Sequence, residues 1–167
     1  METNKLVILG AGGYANTVCD VAEQLGYKIF AVLDDKLPGF ELMTFDKYLQ
    51  DGIEFMVALG NNEFRIKWMD TIKNAGGKLS LLIHPSAYVS PKAVIEEGTV
   101  VLPKAIVNTG AKVERGCIIN LGCIIDHDCV IEEGVHICLG AVVKGENRIL
   151  RCEKIEAGDV VERATRK

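Results

Sequence analysis

From Ile83 onward, valine or isoleucine recurs at every sixth residue: Ile83, Val89, Ile95, Val101, Val107, Val113, Ile119, Ile125, Ile131, Ile137, Val143, Ile149, Ile155 and Val161. The residue four places after each is mostly small: Ala87, Ala93, Thr99, Ala105, Ala111, Cys117, Cys123, Cys129, Val135 and Ala141. A period of six fits neither an amphipathic helix nor an alternating strand. It is the mark of a solenoid in which each unit supplies one short strand and one corner. Three units close a triangular coil of about 18 residues, and coils stack into a parallel β-helix. The branched residue points to the axis and the small one fits where the chain turns. Hexapeptide solenoids wind left-handed, against the usual crossover rule. The repeat runs from Ile83 to Arg166. Near its end, GENRILRCEKIEAGDVVERATRK puts Asn147 and Glu153 on small-residue positions and carries charge throughout, so that stretch is expected to be irregular.

Before Ile83 the pattern is different. LVILG (Leu6 to Gly10) is a short apolar run followed by glycines. Ala15 to Leu25 carries Val18, Val21, Ala22 and Leu25 at helical spacing and stops at Gly26. Strands are predicted over Ile29 to Asp35, Phe55 to Gly60 and Leu79 to His84. A second helix is predicted over Asn62 to Lys73, with Phe64, Trp68 and Ile72 on one stripe. Such alternation implies a small parallel sheet covered by helices. The predicted architecture is an α/β Rossmann-like domain over residues 1–82 followed by a left-handed parallel β-helix over residues 83–167.

Composition narrows the function. The 167 residues carry a net charge of −4, which argues against nucleic acid as a partner. No apolar run approaches the ~18 residues of a membrane span. METNKLVILGAGG enters a strand pattern at once, without a signal-peptide layout, so the expected location is the cytoplasm. None of the six cysteines forms a CxxC pair. Cys117, Cys123 and Cys129 fall on the small positions of successive repeats, as buried free thiols would.

Two places carry chemistry. Gly10-Ala11-Gly12-Gly13-Tyr14-Ala15 fits G-x-G-x-x-A between a strand and a helix, where glycines admit a phosphate and the helix N-terminus favours its charge. Asp34 and Asp35 close the second strand, where an acid reaches a ribose hydroxyl, and Gly60-Asn61-Asn62-Glu63 follows the third. The domain is long enough for only one mononucleotide half, which favours a single nucleotide over a dinucleotide. The second place is Asp126-His127-Asp128, with His136 half a coil further on. Both histidines fall off the axial positions and face outward, on different sides of the triangle. Three readings fit them: surface or interface histidines, a metal site, and a general base whose imidazole titrates near neutrality beside a carboxylate that fixes its tautomer. A metal site needs a third histidine, and only His84, more than two coils away, remains. The flanking acids favour the base.

ILGAGGYANTVCDVAEQLGYK, FAVLDD, ALGNNEFR, LIHPSAYVSPKAVI and INLGCIIDHDCVIEEGVHICLGAVVKG, taken in order, resemble the sialic acid O-acetyltransferase-like family of bacterial sugar acetyltransferases. The branch they are most similar to comprises N-acetyltransferases of UDP-4-amino-4,6-dideoxy sugars, as in bacillosamine synthesis. The resemblance implies that Gly12, Gly13, Tyr14, Asp34, Asp35, Gly60 and Glu63 hold the nucleotide of an activated amino sugar, with Asn120 near the sugar. It implies a homotrimer with acetyl-coenzyme A as co-substrate between neighbouring solenoids, and neither a bound cofactor nor a metal. His127 would be the base and Asp128 the acid that raises its basicity. His136 would contact acetyl-coenzyme A, the Gly145 N–H would face the thioester oxygen, and Ala157 falls near a further backbone contact. Asp126 is left as a solvated acid. Tyr14 stands where relatives often carry histidine. An O-acetyltransferase is the variant reading. The irregular end, where relatives carry further coils, keeps open a nucleotide-sugar-binding protein that has lost catalysis, and a zinc protein of the γ-carbonic anhydrase type is a weaker third.

Overall fold

The computed structural model describes residues 4–163, and in them the change of period at Ile83 is a change of architecture. The chain forms two units, Met1–Leu82 and Ile83–Lys167. The last three positions of the predicted repeat, 164–166, lie outside the described residues.

The first unit runs β1 (Lys5–Leu9), α1 (Gly13–Gln24), β2 (Lys28–Leu33), a 3-10 helix (Leu42–Tyr48), β3 (Ile53–Val57), α2 (Asn62–Asn74) and β4 (Lys78–Leu79). The sheet is parallel, in the order β2-β1-β3-β4. Leu6, Val7, Ile8 and Leu9 are all buried. Successive buried positions mean that both faces of β1 are covered, hence its unbroken apolar run. Ala15, Val18, Val21 and Ala22 form the buried stripe of α1, and Ile66, Met69 and Ile72 that of α2. Phe64 belongs to the predicted stripe but is exposed, edge-on to Trp68. The 3-10 helix has no sequence period to announce it. It is held by Leu42 and by Phe45, which meets Phe55 and Trp68 edge-on.

The predicted strand Leu79 to His84 is two strands. β4 ends at Leu79, and Ser80 then donates through both N–H and Oγ to the Phe55 carbonyl. The next strand, Leu82–Ile83, joins a solenoid sheet instead. One apolar run spans the change of architecture, and hydrophobicity alone does not mark where it divides.

The second unit is a stack of two-residue strands, from Leu82–Ile83 to Val160–Val161, in three parallel sheets. Ile119 pairs with Val101 and Ile137, and Ile125 with Val107 and Val143, so each residue sits over the one 18 positions earlier. Axial residues from Val101 to Ile149 and the small residues between them form one continuous buried column. Each buried Val or Ile contributes roughly 1.5–3 kcal/mol. Cys117, Cys123 and Cys129 are buried free thiols within it, and burial pushes the Cys123 thiol up to about 12.

Every corner from Gly98 to Gly158 turns through one residue of positive φ, six apart. Most are glycine. Lys104, Asp128, Glu146 and Cys152 are the exceptions, at φ 63°, 57°, 62° and 58°. The stretch expected to be irregular keeps this register: Arg148–Ile149, Lys154–Ile155 and Val160–Val161 each pair with the coil before. Asn147 replaces a small residue without disruption because its Nδ2 donates to the Lys144 carbonyl at 2.8 Å and the Glu162 carbonyl at 3.1 Å.

Candidate active site

The triplet occupies one corner between the strands Ile124–Ile125 and Val130–Ile131. Asp128 takes the positive-φ position, which costs an L-residue roughly 1–2 kcal/mol but is best tolerated by short polar side chains. In return, its carboxylate folds back to the preceding imidazole, with Oδ2 2.9 Å from His127 Nδ1. That contact fixes the tautomer: Nδ1 carries the proton and Nε2 is the free base. Asp126 is not merely solvated, as the sequence suggested. Its Oδ1 accepts from the His127 N–H at 2.7 Å and from Asn108 Nδ2 at 3.0 Å, and its Oδ2 stands 4.0 Å from His127 Nε2. The imidazole therefore lies between two carboxylates, one at each nitrogen.

The electrostatics follow from this geometry. The hydrogen bond to Asp128 is the main force raising the His127 pKa above its ordinary value; the charges of Asp126 and Asp128 add to it, while Arg163 opposes it. Arg163 is itself paired with Glu146. The Asp126 pKa is held below the usual carboxylate range, chiefly by Asn108 and then by the His127 N–H, with a smaller contribution from the Gly145 N–H. Asp126 is thus held in its charged form beside a strengthened base. The ring also rests on Gly145, where a Cβ would stand 2.6 Å from Nε2 and 2.9 Å from Cδ2.

His136 lies in the strand His136–Ile137, in a different sheet from the strand that leads into His127. Its Nε2 is 2.9 Å from Asn120 Nδ2. Asn120 Oδ1 accepts the Leu121 N–H at 2.8 Å, so the NH₂ end is the one turned to the imidazole. Asn120, expected near a sugar, is thus also a partner of His136. Ala157 is exposed on a late corner. Among the described residues, no three of histidine, cysteine, aspartate and glutamate come together to hold a metal ion.

In the first unit, Gly10, Ala11, Gly12, Gly13, Tyr14, Asp34, Lys36, Leu37, Ala58, Leu59 and Gly60 line a cleft of about 460 Å³ at the C-terminal ends of the strands. Gly10 is required by the fold: its φ is +116° and a Cβ would lie 2.5 Å from the Ala58 carbonyl oxygen. Gly12, Gly13 and Gly60 are not. A Cβ at any of them meets nothing within 4 Å. Gly12 caps α1 without a side-chain partner, and no acid sits in the first turn, which leaves that helix end suited to an anion. Asp34 accepts the Ala11 N–H at 2.9 Å and the Lys36 N–H at 3.0 Å, which fixes its carboxylate at the cleft wall. Asp35 and Glu63 do not line the cleft. Asp35 accepts the Leu42 N–H at 3.0 Å at the start of the 3-10 helix, and Glu63 is exposed on the first turn of α2.

Sequence reasoning missed Asn108, Lys36 and the packing role of Gly145. Asn108 was within reach, because it stands one coil of 18 residues before Asp126.

Residues 5–72 match the family described as the PglD N-terminal domain. A UDP-N-acetylbacillosamine N-acetyltransferase of Bacillus subtilis is 33% identical over 107 residues, which is 57% of this chain and 50% of that protein. The match therefore spans half the length of that curated relative. The acetyltransferase domain of PglB from Neisseria gonorrhoeae, solved with acetyl-coenzyme A, is 35% identical with a TM-score of 0.88 over 95% of this chain and 82% of that one. PerB of Caulobacter crescentus, solved with CoA and GDP-perosamine, is 27% identical with a TM-score of 0.82 over 95% and 88%.

Proposed function

The chain belongs to the PglD-like family of bacterial sugar acetyltransferases, and from that premise we propose that it transfers acetyl from acetyl-coenzyme A to the amino group of a nucleotide-linked amino sugar. The observation that carries the reading is the imidazole of His127, bonded to Asp128 through Nδ1 and presenting Nε2 as a base.

In this reaction the amine nitrogen attacks the thioester carbonyl and the N–C bond forms. Its proton passes to His127 Nε2, a step typically worth a factor of ~10²–10⁴. The C–S bond then breaks, and the coenzyme A thiolate takes the proton back from the imidazolium, leaving amide and free thiol. The Gly145 N–H, shared with Asp126, is the proposed donor to the tetrahedral oxyanion. His136 and Ala157 are the proposed contacts to acetyl-coenzyme A, and Asn120 orients His136 beside the sugar. In the first unit, Gly12, Gly13, Tyr14, Asp34 and Gly60 are the proposed nucleotide site. The open space over the three glycines supports it.

We further propose a homotrimer. Tyr88, Ile106, Ile124, Val142 and Val160 stack on the outer face of one solenoid sheet, with Tyr88 55% and Val160 50% exposed. The corresponding columns elsewhere carry Lys112 and Arg148, or His136 and Lys154. An apolar column running past the His127 corner suits a second copy of the chain. No described helix is long and apolar enough to cross a membrane. Buried free thiols fit the reducing cytoplasm, where we place the enzyme.

The test is free thiol release from acetyl-coenzyme A with UDP-, dTDP- and GDP-linked 4-amino sugars, wild type beside His127→Ala. Acceptor-dependent release that collapses in the variant supports the reading. Binding of a nucleotide sugar without release by any acceptor would replace it with a binding protein.

A further inference from the structure

Asn108-Thr109-Gly110 lies one coil before Asp126-His127-Asp128, in register with it. Asn108 Oδ1 accepts the Thr109 N–H at 2.8 Å. That fixes which end of the amide faces onward, and Nδ2 donates to Asp126 Oδ1 at 3.0 Å. The Thr109 carbonyl accepts the Asp128 N–H at 3.0 Å. At Gly110 a Cβ would run into Asp128 Oδ1. We propose that Asn108 and Gly110 are positioning residues for acetyl transfer: Gly110 leaves the socket that holds the Asp128 carboxylate against His127 Nδ1, and Asn108 holds Asp126 at the Nε2 side. This deepens the reading of His127 as the base and rests on it.

Backbone conformation does not explain Gly110 by itself. Its φ is +70°, yet the same kind of corner accepts Lys104, Asp128, Glu146 and Cys152. At Gly122 and Gly140 a Cβ would meet nothing within 4 Å. Gly110 differs because the space beside it is already filled, by the end of a side chain that can swing away. A methyl group there would leave the coil intact and move the carboxylate off the imidazole. The groups facing His127 are Asp128 at Nδ1, Asp126 at Nε2 and Arg163, which is paired with Glu146. Loss of the Asp128 contact removes the main force raising the ring's proton affinity, so His127 would titrate at lower pH.

The chain has three histidines, so ring resonances can be followed individually by NMR titration. The comparison uses wild type, Gly110→Ala, Asn108→Ala, and Gly140→Ala as the control that carries the same corner strain at φ +64° without a contact. Gly110→Ala is expected to lower the His127 midpoint toward that of Asp128→Asn, move the acid limb of kcat/KM with it, and reduce kcat about 10-fold with little change in sugar KM. Gly140→Ala is expected to leave both unchanged. Asn108→Ala is expected to raise the Asp126 midpoint, read on carboxyl carbon shifts, and to lower kcat. Equal shifts of His127 in the two glycine variants, or none in either, would overturn the socket. An unmoved Asp126 would overturn the role of Asn108. Should the midpoints move as stated while wild type transfers no acetyl group, the positioning stands and the reading of His127 as base fails.

Discussion

Gly12 and Gly13 face empty space, whereas Gly110 and Gly145 face side chains. In the first pair, the missing Cβ leaves open space beside a cleft and a helix end without a side-chain cap. In the second pair, the room is taken by the carboxylate of Asp128 and the ring of His127. On the proposed reading, the first arrangement receives a ligand and the second holds a reactive group still. The same residue type thus serves two ends, an open surface at Gly12 and Gly13 and a filled socket at Gly110 and Gly145, and the neighbour of the absent methyl group tells them apart.

The largest effect expected on this comparison is at the held group itself. His127→Ala should lower acetyl transfer by ~10²–10⁴ while nucleotide-sugar binding by calorimetry is retained. Loss of binding as well would mean that the solenoid corner also carries the sugar's affinity. Filling the open side comes next. Gly13→Ala should raise sugar KM about 10-fold, ~1.4 kcal/mol, with a melting temperature close to wild type, because no atom of the chain lies within 4 Å of the added Cβ. A fall in stability instead of affinity would show that the space serves packing.

Asp128→Asn sharpens the other side. His127 has a raised pKa in the folded protein, so the free base is present only above that value. Without the carboxylate the pKa falls back toward the ordinary imidazole range, and the acid limb of kcat/KM should move to lower pH while kcat drops about 10-fold. The smallest effect lies outside both sites. Cys152 occupies the corner column that Gly98, Gly116 and Gly134 fill in earlier coils. Cys152→Gly should relieve backbone strain and raise stability by about 1 kcal/mol in chemical denaturation, with turnover unchanged.

Much of this was legible in the sequence because periodicity is a global signal. Fourteen axial positions cannot agree by accident, and the hexad that fixes the fold also places His127 at a corner. The glycine loop and Asp34 were legible because they sit at the end of a plain apolar strand. What escaped depends on contacts across coils or between short pieces. Asp126 looked solvated because its main partner, Asn108, is remote in sequence. The run Leu79 to His84 read as a single strand because Leu79 and Leu82 are equally apolar but pair with different sheets. Asn147 looked like a defect because composition does not show the carbonyls that its amide reaches.

The fixed rise of one coil per 18 residues makes this corner a device that reads chain length in whole steps. Inserting a complete coil between Gly110 and Asp126 would restore the face of every later residue but put a new layer under His127, changing its support without turning it. Deleting a single hexad would carry the triplet to the next face of the prism, away from the apolar column. Adding one residue would send aliphatic side chains outward and polar ones onto the axis. Change in such a chain is quantised: substitutions tune the corner, whereas lengths are tolerated only in multiples that return the thread to the same edge.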